Sequence, residues 1–572
     1  MKILLTAINA KYIHSNLAVY SLRAYAQKLG YSVQLAEYTI NHRMDFILEE
    51  IYRKKPDVLV FSCYIWNIEY VKELAREFHK ICPDVPIWAG GPEVSFETEQ
   101  FLWENPAFTG LMMGEGEQTF SQLCAYYGGD GKIDDIDGIT YRDKTESIVI
   151  RPLKKLLPMD EIPFCYSDLA DFEHRIIYYE SSRGCPFSCS YCLSSVDKTL
   201  RFRSLSLVYK ELQFFLDKKV PQVKFVDRTF NCKHSHTLGV WNYIKEHDNG
   251  ITNFHFEISA DLLTEEELEL ISDMRPGLIQ LEIGVQSTNP ETIREIHRTM
   301  RLPEVKRAVK RVQQGKNIHQ HLDLIAGLPL EDYQTFRKSF DEIYALRPQQ
   351  LQLGFLKVLK GSYMYEHAQE YGLLYRSVAP YEVLTTKWVS FDEMLEIHLV
   401  EEMLELHYNS GQFLTALSVL EKVYDSAFSM FLDMGYFYRK QGYLNRSHSR
   451  IQRTEIFLEF ARSVDSKQEK LYQEALIFDL YKIEKSKSRP KWAADLTEYK
   501  RMTAGYLREN SREKNYCHLE PFFYLEPEGQ KRNQKAPGEP LWLLFDYEHR
   551  DPLTNEADIR EAAVVPEEPE CP

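Results

Sequence analysis

Ser182-Arg183-Gly184-Cys185-Pro186-Phe187-Ser188-Cys189-Ser190-Tyr191-Cys192 sets three thiols at C-x3-C-x2-C spacing, in a loop that follows a predicted strand over Ile176–Glu180. Thiolates are the ligands that suit iron–sulfur clusters. Three local cysteines without a fourth leave one iron of a 4Fe-4S cluster with no protein ligand, and an open metal position is where a cofactor or substrate coordinates. Three unrelated core cysteines are one alternative, but the tight spacing and the flanking Gly184 and Pro186 argue against it. A structural zinc site is the better competitor. It wants a fourth Cys or His at ligand spacing, and Cys165, Cys232 and the pair Cys517-His518 are the extras available.

Outward from this loop, residues 176–380 read as a β/α series. Strand candidates are Ile176–Glu180, Gln222–Val226, Asn253–Ile258, Leu278–Ile283, His319–Leu324 and Gln350–Lys357, with helical segments between them. Six such units predict a partial parallel barrel, with its chemistry at the C-terminal ends of the strands. Upstream, residues 1–125 alternate short apolar runs with amphipathic segments. Lys2–Ala7, Ser32–Glu37, Asp57–Cys63, Pro86–Ala89 and Thr109–Met113 are strand candidates, and Leu17–Leu29, Met44–Arg53 and Ile68–Ile81 are helices. This predicts a doubly wound, Rossmann-like α/β domain whose ligands sit beyond the strand carboxyl ends. Residues 126–175 read as a connector with a hairpin over Gly138–Arg142 and Ser147–Arg151. Residues 381–550 are mainly helical with two late strand candidates, Pro521–Leu525 and Leu541–Tyr547. Residues 551–572 read as a disordered acidic tail.

The chain has 572 residues, 44% hydrophobic and 27% charged, as in ordinary globular proteins. A formal net charge of −16 argues against a broad phosphate-tracking surface, so nucleic acid is disfavoured as a partner. No run approaches the length of a membrane span, and the opening MKILLTAINA reads as a strand, not an export signal. Ten cysteines with one tight cluster fit reduced thiols plus a metal site, and the expected location is cytoplasmic.

The cysteine motif, with an aromatic before its last Cys, resembles the radical S-adenosylmethionine (SAM) superfamily. Four further segments agree in order. Phe225–Phe230 resembles an F-x-D-D/E-x-F strand end, with Arg228 where a second acid is common. Leu281–Ser287 resembles E-x-G-x-Q-S. Asp323–Pro329 resembles D-x-I-x-G-L-P-G, with Leu330 in place of the last Gly. Phe355–Ser362 resembles the last-strand segment. The resemblance implies a 4Fe-4S cluster on Cys185, Cys189 and Cys192, whose open iron chelates SAM and delivers an electron into the sulfonium. It places Glu282 at the SAM amino group or ribose and Gln286 in the SAM pocket, with Asp227 among the cofactor-binding residues. A barrel salt bridge is the other reading of Glu282. An electron donor such as a flavodoxin or ferredoxin follows.

The N-terminal domain is similar to that of the B12-dependent subgroup. Ala89-Gly90-Gly91-Pro92 and Gly114-Glu115-Gly116-Glu117 carry this likeness and make Gly90, Gly91, Gly114 and Glu115 candidates for holding cobalamin. The D-x-H-x-x-G motif of His-ligated cobalamin proteins is absent; the matching loop is Asn9–Ser15. The lower cobalt face is therefore expected to lack a histidine, meeting a residue of Tyr64–Asn67 or nothing, while His14 reads as a satisfied loop histidine. The C-terminal region resembles a family-specific helical extension. Together these imply an enzyme that cleaves SAM reductively, uses cobalamin, and acts as a methyltransferase on an unknown substrate. The alternatives are a methylthiotransferase-like or oxidative-cyclisation enzyme without cobalamin, and a non-catalytic iron–sulfur or cobalamin-sensing protein. A methylthiotransferase would want a second cysteine set, for which Cys63, Cys82 and Cys124 are the candidates, and a basic RNA-binding module that the chain lacks.

Overall fold

Strand β1 (Ile3–Asn9) pairs in parallel with β2 (Val33–Thr39) on one side and β3 (Val58–Ser62) on the other. β4 (Ile87–Gly90) and β5 (Gly110–Met112) continue the parallel sheet. β1 and β3 are buried along their full length because helices cover both faces. Val71, Leu74, Ala75 and Phe78 of helix Ile68–Ile81 pack on one face in a cluster with Leu59, Phe61 and Ile87. The segment read as a connector is partly a continuation of this sheet. Its hairpin, β6 (Ile139–Arg142) and β7 (Ile148–Arg151), adds antiparallel at the β5 edge, giving the order β2-β1-β3-β4-β5-β6-β7.

The second sheet begins at β8 (Ile177–Tyr179). A short antiparallel pair, β9 (Ser182–Arg183) and β10 (Arg201–Phe202), follows it. Then come β11 (Gln222–Phe225), β12 (Asn253–Ile258), β13 (Ile279–Gln286), β14 (His319–Ala326) and β15 (Gln350–Phe355). The six long-range partners run in the order β15-β14-β13-β12-β11-β8, the partial parallel barrel that six β/α units require. Alternate residues such as Val223, Phe225, Phe254, Phe256, Leu281 and Ile283 are sealed under the helices. The intervening residues line the inner face.

These features come from the computed structural model, which describes residues 1–509, 516–526 and 540–564. The chain divides into two units, one of Met1–Tyr333 with Gly354–Phe391 and one of Gln334–Leu353 with Asp392 onward. Within the first, a short ribbon of β16 (Leu374–Tyr375) and β17 (Val383–Thr385) follows the barrel. The second unit is mainly helical. Its helices include Phe391–Met403, Ala427–Gln441, Arg450–Val464 and Glu469–Ile483, with a π-helical turn at Leu404–Asn409. Buried Asp479 accepts from the amides of Thr415 and Ala416 at 3.0 and 2.9 Å, satisfying the first turn of helix Leu414–Leu420. An antiparallel sheet of β18 (Cys517–Phe522), β19 (Leu541–Arg550) and β20 (Ala557–Glu561) completes the unit. β20 corrects the expectation of disorder from residue 551. Its charged sequence ADIRE hides a strand that gains its order from pairing with the apolar β19. Residues 565–572 of the expected tail lie outside the described residues.

Candidate functional site

The two-rung ladder Arg183↔Arg201 and Ser182↔Phe202 closes a hairpin loop at the end of β8. Cys185 and Cys189 are buried on it, Cys192 is half-buried, and all three are free thiols. The loop is pinned at several points. Ser190 donates its amide to Ile296 O at 2.9 Å, and Ser195 Oγ donates to Cys189 O and Cys192 O at 2.9 and 2.6 Å. Below the loop, Asp227 is fully buried. It accepts from Ser181 N at 3.0 Å, Ser181 Oγ at 2.7 Å and Ser182 Oγ at 2.5 Å. Burial pushes its carboxyl up to about 6 against the pull of these donors. Asp227 thus holds the strand end that leads to the cysteines, and its hydrogen bonds in this structure go to Ser181 and Ser182.

Arg298 was not singled out by the sequence. Its guanidinium lies 3.8 Å from Cys189 Sγ and 3.3 Å from Tyr191 OH, and it donates to Gly284 O. Arg298 Nε and Gln286 Oε1 are buried with no hydrogen-bond partner. Gly284 makes room for both side chains. A Cβ there would lie 2.4 Å from Gln286 Nε2 and 3.4 Å from Arg298 Nη2. Gln286 itself takes φ +74° at the bulged end of β13.

Glu282 sits two residues before Gly284 on the inner face. Lys224 Nζ donates to its Oε2 at 2.9 Å, and His255 Nε2 lies 3.0 Å from the same oxygen. Burial alone would raise this carboxyl, but His255 and Lys224 hold it well below the usual range. The contact that the structure gives Glu282 is this ion pair, not an open position at the mouth. Glu257, register partner of Glu282, is instead pushed up to about 7 by burial, with Arg228 3.8 Å away opposing the shift. Farther along, His321 Nε2 lies 3.1 Å from Asp323 Oδ1. The alternation His319-x-His321-x-Asp323 on a predicted strand was the signal that would have exposed this polar lumen.

A cavity of about 1060 Å³ lies at the C-terminal edge of the first sheet. Gly90, Gly91, Gly114 and Glu115 line it, together with Tyr64, Trp66 and His14, and Gly184 and Leu193 of the cysteine loop border it. Gly91 is required for backbone packing: its φ is +117°, and a Cβ would fall 2.3 Å from Cys63 O. Tyr64 and Trp66 stack with centroids 4.5 Å apart. His14 Nδ1 is 2.7 Å from Tyr178 OH, and burial keeps its pKa low, aided by Lys11 and Lys224. Glu115 is taken up by cations. It pairs with Arg201 and with Arg183 at 3.1 Å. Arg183 also meets Glu117 at 2.8 Å and Glu180 at 2.7 Å. The Gly114–Glu117 turn therefore locks the first domain onto the residue just before the cysteine loop.

Comparison with known proteins agrees with this geometry. Residues 3–124 match the B12 binding domain, 179–343 the radical SAM superfamily, and 369–530 a protein of unknown function (DUF4080). The chain is 27% identical over 312 residues to 2-(S-pantetheinyl)-carbapenam-3-carboxylate methyltransferase of Streptantibioticus cattleyicolor, covering 49% of this chain and 44% of that protein. It is 22% identical to the hopanoid C-3 methylase of Methylococcus capsulatus, over 51% of this chain and 55% of the relative. The chain thus spans about half the length of these curated relatives. The fold is shared with TsrM of Kitasatospora setae, a radical SAM methyltransferase solved with cobalamin and a 4Fe-4S cluster. That match has a TM-score of 0.55 at 16% identity and covers 66% of this chain and 76% of the other. It is shared also with the cobalamin-dependent radical enzyme OxsB, at TM-score 0.56, 17% identity and coverage of 89% and 75%. Among the described residues no helix is long and apolar enough to cross a membrane.

Proposed function

From a chain that carries a B12-binding domain ahead of a radical SAM domain, we propose an enzyme that cleaves SAM reductively and transfers a methyl group through cobalamin to a substrate. The carrying observation is the single cavity bordered by both the Gly90–Gly91 edge of the first sheet and the loop bearing the three cysteines. Two cofactors held on these two walls would face each other across it. The donor set fits. Cys185, Cys189 and Cys192 are free thiols for three irons. The orphaned Arg298 Nε and Gln286 Oε1 suit the carboxylate and ammonium of SAM, whereas Glu282 is already ion-paired. When bound, the cluster and SAM supply a 5′-deoxyadenosyl radical and cobalamin supplies a methyl carrier.

The protein's own part is placement and shielding. Asp227 and the serines fix the cysteine loop, Arg183 fixes the spacing of the two walls, and the Tyr64–Trp66 stack offers cobalamin an aromatic surface without an imidazole. In this reading a flavodoxin- or ferredoxin-type donor supplies the electron, and the free cysteines support a reducing, cytoplasmic setting. The methylthiotransferase reading loses support, since Cys63 and Cys124 are sealed in the core and burial pushes the Cys124 thiol up to about 12.

The test is anaerobic. Dithionite-reduced enzyme loaded with iron, sulfide and hydroxocobalamin should convert SAM to 5′-deoxyadenosine, and Cys185→Ala, Cys189→Ala or Cys192→Ala should abolish iron binding and turnover. Arg298→Gln should keep its iron yet weaken SAM binding by about 1.5–3 kcal/mol, roughly ten- to a hundredfold. Stoichiometric zinc in place of iron, or no SAM cleavage by fully loaded enzyme, would defeat the reading.

A further inference from the structure

Midway along the barrel lumen lies a donor group that the SAM chemistry leaves unused. Glu282 on β13 and His321 on β14 are direct register partners, and Asp323 follows two residues later on the same face. One ligand atom from each of the three lies within 4.8 Å of the others. His321 is 7% exposed, and its Nε2 has no hydrogen-bond partner; neither has Asp323 Oδ1, although the two atoms are 3.1 Å apart. A cation among the three ligand atoms would satisfy both of these buried atoms at once.

We propose that Glu282, His321 and Asp323 bind one divalent transition-metal ion, zinc being the simplest, with a coordination position open toward the barrel mouth. One imidazole and two carboxylates are ligands that a borderline ion accepts, and three protein ligands with an open fourth position are the pattern of a reactive site, not a structural one. The two carboxylates balance the ion's charge. His255, whose Nε2 is 3.0 Å from Glu282 Oε2, stands where it orients that ligand. Lys224 is the competitor. Its ammonium now sits 2.9 Å from Glu282 Oε2, and the ion takes over that role while Lys224 turns to Glu257, the neighbouring acid on β12. Lys224 bonds Glu282 in the cluster, while Asp323 has the His321 ring beside it at 3.1 Å, so Lys224 does not serve both acids. The open position would take an oxygen or nitrogen donor of the substrate. That last step rests on the function proposed above, but the ion site itself does not.

The experiment uses cluster-loaded, desalted protein titrated anaerobically with zinc chloride, with zinc and iron counted by mass spectrometry. Wild type should hold one zinc beyond its cluster. His321→Ala and Asp323→Asn should weaken zinc binding roughly ten- to a hundredfold with iron unchanged. Lys224→Met should tighten it roughly tenfold, a gain that misfolding cannot produce. Wild type that retains no zinc, variants that retain as much as wild type, or a Lys224→Met that binds no tighter, overturns the site. SAM cleavage on the same samples reads the proposed function separately.

Discussion

The two β/α sheets are built from the same repeating unit and use it in opposite ways. In the first, helices cover both faces, so β1 and β3 are buried throughout and mostly apolar, and their side chains are sealed inside the sheet. The open cavity lies at the edge instead, beside the turns at Gly90, Gly91 and Gly114. In the second, helices cover one face only. Gln280, Glu282 and Gly284 of β13 are inward and partly exposed, and Lys224, His255, Glu257, Glu282, His321 and Asp323 occupy inward positions of the sheet. The degree of alternation in a parallel strand thus tells whether its chemistry lies beyond the strand or along it.

The sharpest way to break this comparison is at the junction of the two sheets. Arg183 is 19% exposed and meets Glu117, which is only 5% exposed, along with Glu115 and Glu180. Arg183→Gln leaves three acids around an uncharged amide, with only Arg201 still serving Glu115. Removing one partner of a buried pair costs about 3–5 kcal/mol, and anaerobic thermal unfolding should register it as a clear fall in Tm. An unchanged Tm would mean that solvent already screens the clamp and that the two sheets dock by apolar contact alone.

Glu257 sharpens the contrast from inside the barrel. Its folded pKa of about 7 lies above the unfolded value of about 4.3. A raised carboxyl stabilises the fold below about pH 4.3, and that stabilisation is lost as pH rises through 7. The full shift corresponds to about 3–4 kcal/mol, but the side chain is 27% exposed in the lumen. Screening there should reduce the effect to about 2 kcal/mol. Glu257→Gln should therefore raise Tm at pH 8 and leave it nearly unchanged at pH 4.5. Equal gains at both pH values would assign the effect to packing, and the barrel interior would then be as inert to pH as the interior of β1 and β3.

The same contrast explains what was legible in the sequence. Strands and helices with strong periodicity were read closely, Asn253–Ile258 and Ile68–Ile81 to the residue. The cysteine triad was legible because its members lie within eight residues of one another. The lumen group was not, because its members, from Lys224 to Asp323, come from four strands spread over about a hundred residues and meet only when the barrel curls. Arg298 lies in a loop with no pattern, and nothing local marks it as the neighbour of Cys189. Glu115 was read as a cofactor group because its turn is glycine-rich, and the cations that claim it, Arg183 and Arg201, sit far along the chain. The serine partners of Asp227 were likewise hidden, since a strand-end acid looks the same in sequence whether it faces a ligand or a serine hydroxyl.

The smallest expected effect belongs to His14, and it tests whether the first sheet's edge works through side-chain coordination at all. The loop Asn9–Ser15 is where a His-ligated cobalamin protein would present its imidazole, and His14 lines the cavity. Yet its Nδ1 is committed to Tyr178 OH at 2.7 Å, and its backbone bridges to Ile176 just before β8. Both contacts tie the loop to the barrel and leave the ring little freedom to reach a cobalt ion. Burial with Lys11 and Lys224 nearby keeps the ring neutral, so protonation does not release it near neutral pH. His14→Phe removes one hydrogen bond and should lower stability by about 1 kcal/mol. The electron paramagnetic resonance spectrum of bound Co(II) cobalamin should be the same in both proteins, without nitrogen superhyperfine splitting from the protein. Splitting in the wild type that vanishes in His14→Phe would make His14 the lower ligand, and the edge of the first sheet would then use side-chain chemistry as the barrel does.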